Sequence, residues 1–121
     1  MPASRLYHLD RYSIPELLQL LRTERGEKIR LETGAQASLT IKGQAYEIDG
    51  PPLDEEAVDG LLRPVTDTRQ MRTFRKRSTL DIIYRLEGAR FLVRVVRAFG
   101  IFNIELHAIN VWRSFCDNNV F

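Results

Sequence analysis

The sequence has few cysteines and no long hydrophobic run. Its 121 residues include one cysteine, Cys116, so no intrachain disulfide can form, and this usage predicts a reducing compartment, with the cytoplasm as the expected location. No apolar run approaches the ~18 residues of a membrane-spanning helix, and we expect no secretory signal region at the N-terminus. Hydrophobic residues make up 44% and charged residues 28% of the chain, which predicts a single globular domain.

Residue types that carry metal or acid–base chemistry are also scarce. His8 and His107 are the only histidines, and no Asp, Glu or Cys cluster has ligand spacing, so we predict no metal and no cofactor. Cys116 has no neighbouring histidine and is predicted to be an ordinary thiol. Asp81 and Glu105 are predicted on strands that a third strand separates, which disfavours a catalytic carboxylate pair. We therefore predict that the chain is not an enzyme.

Charge is distributed unevenly along the chain. Residues 1–60 hold seven Lys/Arg against eleven Asp/Glu, whereas residues 61–121 hold eleven against five. Most of the excess lies between Arg69 and Arg97. Such a basic segment most often forms a solvated surface, but it is also suited to nucleic acid, nucleotide phosphates or an acidic protein partner.

Three helices are predicted from their capping residues. Ser13 precedes Pro15 and Glu16 and opens a run of leucines at helical spacing, and Gly26 is suited to end that helix. Asp54 caps a second, short helix. Asp67, with Gln70 at the reciprocal capping position, opens a third, whose apolar side carries Met71 and Phe74.

Six strands are predicted from period-2 alternation between glycine turns. In chain order they are Lys28–Glu32, Ala37–Lys42, Ala45–Ile48, Leu80–Leu86, Ala89–Arg97 and Ile101–Ile109. The order α-β-β-β-α-α-β-β-β contains no parallel crossover, so we predict an α+β fold with a six-stranded antiparallel sheet. Residues 1–12 are predicted to be an N-terminal extension, residues 13–109 the folded domain and residues 110–121 an aromatic tail.

Several short motifs occur in an order that resembles one family. They are Gly34, Thr40-Ile41-Lys42-Gly43, Gly50-Pro51-Pro52-Leu53, Asp81-x-x-Tyr84, Gly88-x-Arg90-Phe91-x-Val93 and Gly100. Residues 13–109 thereby resemble the N-terminal domain of the PilT-type ATPases of bacterial type IV pili and type II secretion. The resemblance implies a PAS-like fold and contacts with neighbouring subunits and motor domains around a ring.

The sequence also departs from that family. It contains no Gly-x-x-x-x-Gly-Lys-Ser/Thr phosphate-binding loop, so we expect no nucleotide hydrolysis by this chain. Family members use arginines of this domain to reach nucleotide. The resemblance aligns Arg90 with one of these positions, but it places Leu92 and His107 at two others, which implies that this role is largely lost.

The sequence thus favours a non-catalytic protein–protein interaction module, an adaptor or regulator of a pilus or secretion ATPase or a homo-oligomer. The predicted contact strip is Arg90, Arg94 and Arg97, with a rim of Arg72, Arg75, Lys76 and Arg77; a second candidate surface is the tail with Trp112, Phe115 and Phe121. Two alternatives remain open. One is a nucleic-acid-binding domain that uses the basic segment 69–97, with Phe91 or Phe99 stacking on a base; the other is a PAS-like sensor of a small ligand.

Overall fold

The computed structural model describes residues 7–109. Three helices, α1 (Ile14–Thr23), α2 (Glu55–Leu62) and α3 (Thr68–Arg77), are accompanied by a short 3-10 turn at Arg63–Val65. Seven strands make up the rest of the fold: β1 (Tyr7–His8), β2 (Lys28–Glu32), β3 (Ala37–Ile41), β4 (Gln44–Asp49), β5 (Thr79–Leu86), β6 (Ala89–Ala98) and β7 (Ile101–Ile109). Within residues 7–109, no helix has the length and apolar character needed to cross a membrane.

One sheet contains all seven strands in the order β1-β4-β3-β2-β7-β6-β5. Strands β2–β4 and β5–β7 form two antiparallel meanders, which join where β2 pairs with β7, as in the pairs Lys28–His107 and Glu32–Asn103. The predicted α+β class is confirmed, but the prediction of a six-stranded antiparallel sheet is wrong, since the sheet has seven strands. The sheet as a whole is mixed, because β1 lies parallel to β4.

Strand β1 brings Tyr7 and His8, which belong to the predicted N-terminal extension of residues 1–12, into the sheet. Tyr7 pairs with Ile48, His8 pairs with Asp49, and the backbone N–H of Leu9 donates to the carbonyl oxygen of Asp49 at 2.8 Å. Two residues are too few to show a period in the sequence. This segment is a strand because it pairs with β4 at the edge of the sheet, and not because its own sequence shows a strand pattern.

The helices begin where their capping residues predict. Asp54 Oδ1 accepts the backbone N–H of Ala57 at 2.8 Å, and Asp67 and Gln70 satisfy each other's backbone N–H groups in a reciprocal capping box. Ser13 Oγ likewise accepts the N–H of Glu16 at 3.2 Å. These hydrogen bonds fix the first turn of each helix. The helices then continue with their apolar residues facing the sheet.

The core lies between the three helices and one face of the sheet. Every fully buried strand residue lies on that face, including a continuous row across five strands, and the helices add their own apolar stripes. The row is Ile82, Val93, Leu106, Ile29 and Leu39. The opposite face carries no buried residue between positions 7 and 109, and we call it the open face.

Gly26 has a different role from the predicted helix stop. Arg25, not Gly26, takes the left-handed conformation (φ 54°) after α1, while the N–H of Gly26 donates to the carbonyl oxygen of Leu21 at 2.8 Å. A Cβ on Gly26 would lie 2.6 Å from Leu39 Cδ1 and 3.2 Å from the carbonyl oxygen of Thr40. The glycine is therefore required by the close approach of the chain to β3.

Gly26→Ala is expected to lower the free energy of unfolding by about 1–3 kcal/mol, because the added methyl overpacks a filled core. Gly60→Ala is the matched control, since a Cβ on this helical glycine meets nothing within 4 Å. It should raise stability by about 0.5–1 kcal/mol. Urea unfolding of both variants measures the difference, and equal effects would contradict the packing argument.

His8 connects β1 to β4 through carboxylates as well as backbone. Its Nδ1 lies 2.9 Å from Asp49 Oδ2 and its Nε2 lies 3.1 Å from Asp10 Oδ1. The hydrogen bond with Asp49 makes the largest contribution, and that with Asp10 the next, to raising the pKa of His8 above its ordinary value of 6.5. Because the folded-state pKa is raised, this contact stabilises β1 fully below the unfolded-state pKa and is lost as the pH rises through the folded-state pKa.

We expect an NMR titration of the His8 ring to show a pKa above 6.5. Asp49→Asn should lower that pKa more than Asp10→Asn does, because the Asp49 contact is the larger cause. The protection of the Leu9 amide against exchange, relative to its intrinsic rate, should fall over the same pH range in which His8 loses its proton. A His8 pKa that is unchanged in Asp49→Asn would refute this assignment.

Candidate interaction surface

A row of alternating charges crosses the open face. Strand pairing places Asp81, Arg94, Glu105 and Arg30 side by side on β5, β6, β7 and β2. Arg94 Nε donates to Asp81 Oδ1 at 3.0 Å, and this bond is the largest cause that raises the pKa of Arg94. Opposite charges on neighbouring strands stabilise a sheet, so this row largely neutralises itself.

Glu105 lies within a local cluster of basic groups in this row. Its Oε1 lies 3.0 Å from His107 Nε2, and that hydrogen bond is the largest cause that lowers the pKa of Glu105; the nearby charges of His107, Lys28 and Arg30 add to it. Burial acts in the opposite direction but is outweighed. The carboxylate is therefore held ionised more firmly than an isolated glutamate.

An apolar strip lies beside the charged row. Ile83 is 50% exposed and pairs with the half-buried Leu92, which in turn pairs with His107. Isolated exposed aliphatic side chains are common on protein surfaces. Here two of them adjoin a charged row on the face that none of the helices α1 to α3 covers.

One end of the open face carries two arginines directly opposite each other. Arg85 on β5 pairs with Arg90 on β6, next to the turn that joins the two strands, and both side chains are exposed. Like charges in directly opposed positions destabilise a sheet. Among residues 7–109, no ion pair involves either arginine.

The three arginines of the predicted contact strip do not all lie on the same face of the sheet. Arg90 and Arg94 lie on the open face, as their even spacing requires. Arg97 lies on the helix side, where its guanidinium sits 5.6 Å from the centre of the Phe74 ring and its Nη2 donates to the carbonyl oxygen of Arg75 at 3.5 Å. The three-residue step from Arg94 to Arg97 moves the side chain to the other face, because strand side chains alternate.

The predicted rim also lies away from the open face. Arg72, Arg75, Lys76 and Arg77 are exposed on α3, which packs against the helix side through Phe74. They therefore cannot surround Arg90 and Arg94. The tail residues Trp112, Phe115 and Phe121 lie outside the described residues, and the interaction role of all these side chains stays a prediction.

Sequence reasoning missed two open-face residues, Arg85 and Arg30. Arg85 could have been found from alternation alone, since it shares its strand face with Asp81 and Ile83. Arg30 could not, because its place beside Glu105 depends on the long-range pairing of β2 with β7. Phe91 is buried in the core and is therefore not available to stack on a base.

Solved structures of three ATPases share this fold. The chain matches the ATPase DotB of Legionella pneumophila with a TM-score of 0.68 and 17% identity, over 88% of this chain and 32% of that one. The pilus retraction motor PilT with bound ADP matches with a TM-score of 0.66 and 18% identity, over 84% and 30%. DotB of Yersinia pseudotuberculosis matches with a TM-score of 0.60 and 15% identity, over 90% and 34%.

This domain has a PilT-type fold. At the level of fold, the match confirms the resemblance to the N-terminal domain of PilT-type ATPases that the sequence motifs indicate. The chain spans only 30–34% of the length of these ATPases. No family model matches the sequence, and no curated protein matches it.

Within the PilT-type fold, the charged row makes a testable contribution to stability. Glu105→Gln is expected to lower the free energy of unfolding by up to about 1 kcal/mol at neutral pH. Since the folded-state pKa of Glu105 is lowered, the stabilisation is present above its unfolded-state pKa and is lost as the pH falls through the folded-state value. Urea unfolding at a series of pH values should therefore show wild type and variant converging in acid.

Glu47→Gln is the control on the same face, because Glu47 forms no ion pair among residues 7–109. It should change stability little at any pH. A difference between Glu105→Gln and wild type that persists unchanged into acid would show that side-chain shape, not ionisation, is responsible.

Proposed function

We propose that this domain is a non-catalytic interaction module that docks through its open face on a motor ATPase of the pilus or secretion type. Its PilT-type fold supports this class of partner, since the matching structures are ATPases of which the fold forms about a third. These 121 residues contain no phosphate-binding loop, so the proposal assigns this domain a docking role and assigns it no part in hydrolysis.

The opposed arginines Arg85 and Arg90 are the observation that carries the proposal. Two exposed cations held directly opposite each other cost the hairpin stability and have no counter-ion among the described residues. A carboxylate of a partner would accept hydrogen bonds from both guanidinium groups and relieve their repulsion. The geometry therefore fits an acidic side chain at the centre of a protein contact.

The surroundings of this pair resemble an interface in composition. Ile83 and Leu92 supply apolar area one step along the strands, and the Asp81–Arg94 ion pair lies beyond them. Interfaces commonly combine an apolar centre with polar groups around it, and arginine is enriched among residues that dominate binding energy. The charged row would set the orientation of a partner with complementary charges.

The test is a pulldown from the source cell with the full 121-residue chain and a charge-reversed variant, Arg85→Glu/Arg90→Glu. We expect the wild type to recover an ATPase that mass spectrometry identifies by its phosphate-binding loop. The variant should lose at least about 90% of that signal, because reversing two contact charges costs several kcal/mol.

Arg72→Glu/Arg77→Glu is the matched control, since it makes the same change in net charge on the exposed side of α3. It should retain the ATPase. Equal losses in both variants would assign the effect to net charge. Failure of the wild-type chain to recover any motor ATPase would overturn the proposed function.

A further inference from the structure

The β6–β7 hairpin projects beyond both of its neighbours in the sheet. Its last pair is Ala98–Ile101, whereas β5 reaches only Val96 and β2 reaches only Asn103. The outermost backbone hydrogen bonds between the hairpin and the neighbouring segments are made at Arg97 and Phe102. Residues 98–101 therefore form a protruding tip, which we call the finger.

The finger carries an unusual turn residue. Phe99 is fully exposed, at 102% of its reference area, and its φ is 53°, in the left-handed region that bulky side chains avoid. Three hairpins of the described sheet use the same two-residue turn with positive φ at both positions, which favours Asn, Asp or Gly first. The turns are Lys42-Gly43, Glu87-Gly88 and Phe99-Gly100.

Two of these turns carry a charged side chain, as an exposed loop commonly does. Only the finger carries an aromatic residue. Among residues 7–109, the Phe99 ring packs against no core residue, and its backbone conformation is unfavourable. Strained backbone clusters at functional sites and aromatic residues are enriched in interfaces, so the exposed Phe99 in this turn is a candidate anchor for binding.

A groove that can hold a phenyl ring lies at the root of the same finger. It encloses about 420 Å³ between α2 and α3. This volume lies within the range of pockets that accept whole drug-sized molecules. Its floor is apolar and consists of Val58, Leu62, Met71, Phe74 and Phe102.

The two walls of the groove have opposite charge. Glu55 and Glu56 line the α2 side, and Arg75 with Arg97 lines the α3 side. None of these four residues forms an ion pair in the part of the chain that the structure describes. An anionic membrane or a nucleic acid that met the basic wall would also meet the acidic one.

A second copy of the chain satisfies both walls. A two-fold interface is self-complementary, so a groove with one acidic and one basic wall can present each wall to the opposite wall of a second copy. The finger lies next to the groove, since Arg97 and Phe102 belong to both the groove lining and the base of the hairpin, so the same two-fold contact can bring each tip to the groove of the other copy. The occupant with the matching charge pattern is therefore this chain itself.

We infer that the chain forms a two-fold dimer in which Phe99 of each copy inserts into the α2–α3 groove of the other. The contact is small, so the dimer is of the weak, concentration-dependent class. It uses the helix side and one end of the sheet. The arginine pair at the opposite end of the β5–β6 hairpin stays free, so this inference does not depend on the proposed function.

Sedimentation velocity of the full chain, from about 10 μM to about 1 mM, tests the inference over the range expected for a small interface. Wild type should shift from monomer to dimer. Phe99→Asn should weaken dimerisation at least about tenfold, as loss of an anchor residue does. Its thermal midpoint should stay the same or rise, since Asn suits this turn.

Glu87→Asn makes the corresponding change in the β5–β6 turn and should leave dimerisation intact. Glu56→Arg and Arg75→Glu should each weaken the dimer, and the double variant should recover much of the affinity, because it exchanges the charges of the two walls. Recovery of this kind is not expected of a lipid or nucleic-acid contact.

A wild-type chain that remains monomeric throughout, or a dimer that Phe99→Asn leaves unchanged, would overturn the inference. So would Phe99-dependent binding of a monomeric chain to vesicles of anionic lipid or to single-stranded RNA. In that case the finger anchors a different ligand.

Discussion

The structure depends on one continuous row of aliphatic side chains under the helices. Ile82, Val93, Leu106, Ile29 and Leu39 lie next to one another across five strands, and all are buried. Because strand side chains alternate with a period of two, slipping any strand by one residue would move its member of the row into solvent. The hydrophobic cost of such a slip fixes the register of each strand, and with it every position on the open face.

The chemistry of the open face follows from that register. The strand positions next to the buried row must point outward, which brings charges of alternating sign together in one row and two arginines together at Arg85 and Arg90. The first arrangement is satisfied within the domain, whereas Arg85 and Arg90 have no counter-ion among residues 7–109. Most charged side chains on this face lie beside an opposite charge. A partner that carries negative charge would therefore gain most at the two arginines.

Much of this fold can be predicted from local sequence. Most of the parts that cannot be predicted depend on contacts between residues far apart in the chain. Asp54 and Asp67 cap helices by contacts three residues away, and the three strands of the β5–β7 meander alternate without interruption, so both are predictable. The pairing of Arg30 with Glu105 and the edge strand at Tyr7 depend on partners far along the chain. The place of Phe99 in the turn follows from the two flanking strands, whereas its left-handed backbone conformation does not, because turn preferences favour a small polar residue there.

The pairing of β2 with β7 at the centre of the sheet also has a consequence for the order in which the protein folds. The two meanders are built from hairpins whose partners are near in sequence, and such contacts close quickly. The pair Lys28–His107 instead unites segments from opposite ends of the described chain. Since loop-closure entropy must be overcome before such a contact contributes, we expect the two halves to form hairpins independently and their union to set the folding rate.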